Sequence, residues 1–279
     1  SAPAAPGDGA ADVVVVDTHT HFYDPRRSEG VPWPPADDRL LYRTVLPADY
    51  QAQPVPRPVA ATVVVEASPW VEDNQWVLDL AAKNPFIVGL VGNLPLGTKT
   101  FAGHLKRFAA NPLFRGIRTR DRKLEGTPDD PAFVSDLTLL ADAGLSLDLV
   151  GGGEILDYAG WLSGRFPDLR VVIDHLAGVV VDGKAPPGGG GARMRALVPR
   201  KNVYFKVSGL VEGTGRADGN APADVEFYRP VLDWLWEMFG AERLLYGSNW
   251  PVSERFAPLG RVQGLVDTYF RARGGAALR

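Results

Sequence analysis

The chain has 279 residues, 45% hydrophobic and 23% charged, with a formal net charge of -3. That length suits a single α/β barrel, which typically needs about 250 residues, and the composition is that of a globular domain with ample core. The charge balance offers no footprint for nucleic acid or an anionic membrane, no apolar run is long enough to span a bilayer, and the absence of cysteine excludes disulfides, thiolate metal sites and a cysteine nucleophile.

Residues 1–12 are small and proline- and glycine-rich, and they read as a flexible leader ahead of one domain spanning 13–279. Trimming and removal of an export signal both leave such an end. An exported or periplasmic location is the expectation, with the cytoplasm as the alternative.

The first predicted element is the run Val13 to Val16, leading into Asp17-Thr-His-Thr-His21. Four valines in a row indicate a strand buried on both faces, as in a parallel sheet covered by helices. Alternation along a strand puts His19 and His21 on one face, with Asp17 a layer below them. Imidazole is the commonest metal ligand and a general base near neutral pH, so both roles are open.

A long, proline-punctuated segment, Arg26 to Pro58, follows; connections of this size tend to be lids or binding loops. Ala60–Glu66 is a second apolar run ending in an acid, and Asn74–Ala82 has helical spacing. The alternation then repeats: strand Phe86–Val91 and helix Phe101–Ala110, strand Phe114–Thr119 and helix Pro131–Ala143, strand Leu145–Val150 and helix Glu154–Phe166. Strand Leu169–His175 leads through a Pro/Gly-rich loop to helix Arg193–Val198, strand Asn202–Ser208 to helix Val225–Phe239, and strand Arg243–Asn249 to helix Leu259–Arg273. Gly188–Ala192 reads as flexible loop, since it does not join strand to helix as a phosphate loop does.

Eight strand–helix units predict a (β/α)8 TIM barrel, possible distortion and long βα loops included, in which polar residues at the strand ends share one mouth. These are His19 and His21, Glu66, Arg118, His175, Lys206 and Ser208, and Asn249. Parity with Val171 and Ile173 turns His175 inward and Asp174 towards the helices. Lys206 has Glu66 as a candidate ion-pair partner, Arg118 suits a substrate carboxylate, and Tyr23 and Trp250 are further candidates for substrate contact. His104, on a helix, is assigned to surface or packing.

The motifs Asp17-Thr-His-Thr-His21, Phe114-Arg-Gly-Ile-Arg118, Phe166–Gly178, Val203–Leu210 and Glu242–Val252 together make the chain similar to the amidohydrolase superfamily, of the amidohydrolase 2 type. The resemblance is to its lactonase-like branch, which holds sugar-lactonases and the 2-pyrone-4,6-dicarboxylate lactonase. It implies a hydrolase opening a small sugar- or carboxylate-derived lactone, with His19, His21 and His175 holding one divalent ion, zinc by donor type, or working without metal. Two departures stand out. Strand five ends in Gly151-Gly-Gly153 where a ligand would stand, and Asn249 occupies the place of the strand-eight aspartate. A binuclear site is therefore excluded, and because an amide is not a base, Glu66, a histidine or a metal-bound hydroxide must take the water's proton. The same departures motivate a rival, a degenerate barrel that binds a small polar ligand without turnover. A nonoxidative decarboxylase is a third reading, disfavoured because that chemistry typically relies on the strand-eight aspartate. The expected partner is a small-molecule substrate, and the oligomeric state is not legible.

Overall fold

The computed structural model describes residues 13–120, 130–186 and 188–275; the expected leader, 1–12, lies outside them. Eight strands, β1 Val15–Thr20, β2 Val59–Val65, β3 Ile87–Gly92, β4 Phe114–Arg120, β5 Ser146–Val150, β6 Arg170–Ile173, β7 Val203–Val207 and β8 Leu244–Tyr246, stand in sequence order, each pair of neighbours parallel. The last strand returns to the first. Thr18 Oγ1 donates to Tyr246 O (2.7 Å), Asn249 N to His19 O (2.8 Å) and His21 N to Trp250 O (2.9 Å). The result is the expected (β/α)8 barrel, nearly closed.

The connecting helices are α1 Pro47–Gln51, α2 Asp73–Ala82, α3 Phe101–Ala109, α4 Pro131–Asp142, α5 Ile155–Arg165, α6 Gly188–Leu197, α7 Val225–Phe239 and α8 Leu259–Ala272. Local chemistry sets two of the starts: Asp130 caps α4 by accepting from Ala132 N, with Pro131 in the first turn, and Asp224 caps α7 by accepting from Glu226 N. None of the described helices is long and apolar enough to cross a membrane. Between strands and helices lies the core. Phe205 of β7 packs on Phe239 of α7 (ring centroids 4.3 Å apart), Phe114 of β4 stacks on Phe108 of α3 (5.6 Å), and Ile117, Leu147 and Val171 are fully buried.

Four expectations are corrected. The run before Asp17 is not buried on both faces: Val14 is 71% exposed and Val16 36%. The three-residue β8 leaves the lower part of β1 beside an apolar groove lined by Val14, Val16, Tyr246, Val266 and Phe270. The glycine tract is helix rather than loop. Its residues form the first turns of α6, which buried Met194 and Leu197 anchor and Arg193 ties to Asp157 of α5 (3.2 Å), so tertiary packing overrides the poor helix propensity of glycine. β6 stops at Ile173, two residues before His175, and β8 stops at Tyr246, three before Asn249. In both places the backbone leaves the strand for left-handed conformations, at His175 (φ 52°), Leu176 (55°), Ala177 (55°) and Asn249 (57°), which alternation of strand faces cannot anticipate. The segment after Pro25 is more ordered than a plain loop, holding α1 and an antiparallel bridge between Tyr23 and Val45.

Because Phe205 is fully buried between sheet and helix layer, Phe205→Ala should cost about 3–5 kcal/mol, read as a lowered midpoint of urea unfolding.

Candidate active site

Register decides what points inward. Arg118 of β4 pairs with Asp148 of β5, and Asp148 with Val172 of β6, so these three side chains share the barrel interior. Asp174, two residues beyond Val172, falls on the same side and is fully buried. This corrects the expectation that Asp174 faces the helices; the left-handed turn admits it beside His175.

At the centre stands Lys206 of β7. Its Nζ donates to Asp148 Oδ2 (2.6 Å), lies 3.2 Å from Asp174 Oδ1, and approaches His19 Nδ1 at 3.5 Å. Its partners are thus Asp148 and Asp174, not Glu66. Burial favours a neutral amine, but the two carboxylates outweigh it and raise the lysine's pKa. Burial likewise works against the Asp174 carboxylate, yet Lys206 and His19 hold it well below its ordinary range. Lys206 lies beneath the mouth as an internal cation rather than as a substrate contact.

Above it the three expected histidines do converge. The His19 ring centroid is 4.4 Å from that of His175 and 5.1 Å from that of His21. Two glycines make the room. A Cβ on Gly247 would lie 2.7 Å from His19 Cβ, and one on Gly209, itself left-handed at φ 67°, would lie 2.7 Å from His175 Cβ. Burial keeps all three rings neutral: it lowers the pKa of His19 well below the usual imidazole value, that of His21 to about 3 and that of His175 to about 4.

The rings are held differently. His21 Nδ1 is 2.7 Å from Val65 O and its Nε2 3.1 Å from Asn249 Oδ1. His175 Nδ1 is 2.9 Å from Ser208 Oγ. Among the described residues His19 Nε2 is buried with no partner, as are both Asp174 oxygens apart from their charge contacts. His19, Asp174 and His175 offer donor atoms within 4.8 Å of one another. Among the described residues, that cluster could take a cation. It exchanges the expected His21 for Asp174, and two imidazoles with a carboxylate form a donor set suited to zinc.

Around the mouth the remaining candidates separate. Arg118 is half-buried, makes no ion pair among the described residues, and donates from Nη2 to the Glu66 carbonyl (2.5 Å). The Glu66 carboxylate accepts from Ser68 N (2.5 Å), and burial pushes its pKa up to about 7. It borders a small cleft with His21, Arg27, Trp33 and Trp76. Tyr23 spends its hydroxyl on Leu41 O (2.8 Å) and packs against Trp33. Trp250 is fully buried against Phe22 and Tyr50, with Nε1 donating to Glu254 (2.6 Å). Neither side chain presents a polar group to the mouth. His104 lies on α3, away from the cluster.

Three acids escaped the sequence reading. Asp148 had a signal, a carboxylate in the middle of an apolar strand, which must find a cation. Asp174 was seen and turned the wrong way. Glu212, in the 3-10 turn Glu212–Thr214 after β7, had none, because nothing local marks it as a neighbour of Asn249 (Glu212 Oε1 to Asn249 Nδ2, 2.9 Å).

A barrel with neutral histidines, an internal ammonium and buried carboxyls at the carboxyl ends of its strands defines a hydrolase-type site of the kind that activates water beside a carbonyl. The amidohydrolase family model matches residues 16–271, and the chain belongs to that family. It is 31% identical over 245 residues to an L-fucono-1,5-lactonase of Burkholderia ambifaria, covering 85% of this chain and 80% of that protein. A second L-fucono-1,5-lactonase, from Burkholderia multivorans, is 26% identical over 278 residues, covering 95% and 91%. A zinc-bound amidohydrolase crystal structure from Burkholderia multivorans superposes with a TM-score of 0.80 at 25% identity, covering 95% of this chain and 94% of that one.

Two outcomes follow. Lys206→Met leaves Asp148 and Asp174 buried without their cation and should destabilise by about 3–5 kcal/mol in chemical denaturation. Glu66 binds its proton more tightly folded than unfolded, so the stability it contributes is complete below its ordinary pKa of 4.5 and is lost as pH rises through about 7. Glu66→Gln should therefore melt above the wild type at pH 8 and level with it at pH 4.5.

Proposed function

We propose that this protein is a lactonase that opens a small sugar- or carboxylate-derived lactone by water attack, with L-fucono-1,5-lactone and its stereochemical relatives as the leading substrate class. The observation that carries the reading is the meeting of three neutral imidazoles and buried carboxyls over one internal ammonium. The likeness to lactonases over most of the chain supports the same class.

The chemistry needs a carbonyl made electrophilic, a place for the developing oxyanion and a carrier for the water's proton. The Arg118 guanidinium is a donor already fixed in position, which is where electrostatic preorganisation acts, while the single N–H of neutral His21 is spent on Val65 O. Lys206 adds positive potential from below without being consumed. Arg118, which has no ion pair among the described residues, suits the hydroxyl or carboxylate groups of the substrate, and Glu66 beside Trp33 and Trp76 suits its ring hydroxyls. With the pKa of His21 held to about 3 and that of His175 to about 4, these rings are weak bases, and a carboxyl with a pKa of about 7 is the better proton carrier.

His19, Asp174 and His175 would hold one divalent ion, zinc by donor type, with Lys206 still balanced by Asp148. When bound, such an ion polarises the carbonyl and lowers the pKa of water. Metal content tests this apart from turnover: protein purified without chelators should carry about one equivalent of zinc, lost in His19→Ala.

A second reading, a barrel that binds such a ligand without turning it over, is favoured by Asn249, an amide where the family's acid stands. Proton release on a panel of sugar lactones and 2-pyrone-4,6-dicarboxylate separates the two. Hydrolysis of at least one lactone, with kcat of about 1 per second or more, is expected. Silence across the panel from folded protein, with and without added zinc, overturns the lactonase reading.

A further inference from the structure

The amide at position 249 leaves the chemistry without its usual acid on strand eight, and the structure sets another carboxyl against it. Glu212 Oε1 accepts from Asn249 Nδ2 at 2.9 Å, and Asn249 Oδ1 is in turn 3.1 Å from His21 Nε2. The second oxygen, Glu212 Oε2, is buried and has no hydrogen-bond partner among the described residues. A buried carboxylate oxygen lacking a donor is costly unless something else serves it.

The loop that carries Glu212 is held rigidly. It leaves β7 through Ser208, which holds His175, and Gly209, whose missing Cβ lets the backbone pass against the same histidine. Gly213 N donates to Gly209 O and Val181 N to Gly213 O, both at 2.9 Å, and a Cβ on Gly213 would meet Val179 O at 2.9 Å. The carboxyl is thus fixed to the same two βα loops as His175.

We propose that Glu212 replaces the missing strand-eight acid, taking the proton of the attacking water at Oε2 while Asn249 orients it through Oε1. The inference rests on the lactonase reading and adds the residue that carries the proton. As the water oxygen bonds to the lactone carbonyl carbon, one water proton passes to Glu212. When the ring C–O bond breaks, the same proton goes to the departing alkoxide, and the new carboxylic acid loses its remaining proton to solvent. An amide is the right neighbour for such a base. It donates from one edge and accepts at the other: its Nδ2 serves an ionised Glu212, and, turned over, its Nδ2 serves His21 Nε2 while its oxygen accepts from a protonated Glu212. An aspartate at 249 would instead set two carboxylates about 3 Å apart, which cannot both ionise. Burial raises the Glu212 pKa to about 7, placing it where a base for neutral pH should lie. Asn249 is its hydrogen-bonding neighbour, and the titratable group that senses its charge is Tyr228 on α7.

The test uses Glu212→Gln, Asn249→Asp and the double variant Glu212→Gln/Asn249→Asp, each checked for a native fold by circular dichroism and assayed from pH 5 to 9 on a lactone the wild type hydrolyses. Glu212→Gln should lower kcat by about 100-fold or more, leave KM within about threefold, and abolish the acid limb of the wild-type pH profile. The double variant, with the acid moved to position 249, should recover at least about tenfold of that loss. A Glu212→Gln enzyme within about threefold of wild type at every pH, or a loss that the double variant does not relieve, overturns the proposal. A wild type silent on every lactone sinks the lactonase reading instead. The inference is then decided by infrared titration of the folded protein: a carboxyl signal near pH 7 that Glu212→Gln removes supports it, and its absence overturns it.

Discussion

Lys206 between Asp148 and Asp174 is the arrangement on which the rest of the site depends. An ammonium taken out of water is tolerated only where carboxylates meet it directly, and β5 and the end of β6 supply both. The pairing aligns strands five to seven across the barrel, keeps Asp174 ionised, and sets a fixed positive charge below His19. Neutral rings above a charged layer form a floor that can stabilise an oxyanion without giving up a proton at ordinary pH.

The second constraint is conformational. Three successive left-handed residues, His175 to Ala177, end β6 early and let two adjacent side chains, Asp174 and His175, enter one cavity. A regular strand would have sent one of them to the helices. Such a turn is unfavourable for residues with a Cβ and persists where its surroundings hold it in place. Here those surroundings include Ser208, hydrogen-bonded to both the backbone and the ring of His175, and Gly209 beneath it. The β6 and β7 loops are therefore a single unit, and the position of Glu212 follows from the position of His175.

The loss of an acid at position 249 changes the electrostatics of the mouth less than the sequence implies. The negative charge is displaced by one side chain, from strand eight to the loop after strand seven, and the amide left behind links it to His21. Glu66 offers a second carboxyl of similar acidity on the opposite flank, beside the tryptophan-lined cleft. In the proposed reading, the carboxyl facing the cleft serves recognition and the one beside Asn249 serves proton transfer.

Much of this was legible in the chain alone. Hydrophobic runs punctuated by helical spacing fix eight βα units because burial of each apolar face leaves little choice of partner. His-x-His after a valine run, Arg118, His175 and Asn249 declare themselves by standing at strand ends. What the chain could not convey is which way a side chain turns once a strand gives out, and which remote groups it then meets. Asp174 entering the barrel, Lys206 choosing Asp148 over Glu66, Trp250 withdrawing into the packing, and Glu212 arriving at Asn249 are all settled by register and by left-handed turns. Those arise from contacts between segments far apart in sequence, where local pattern carries no information.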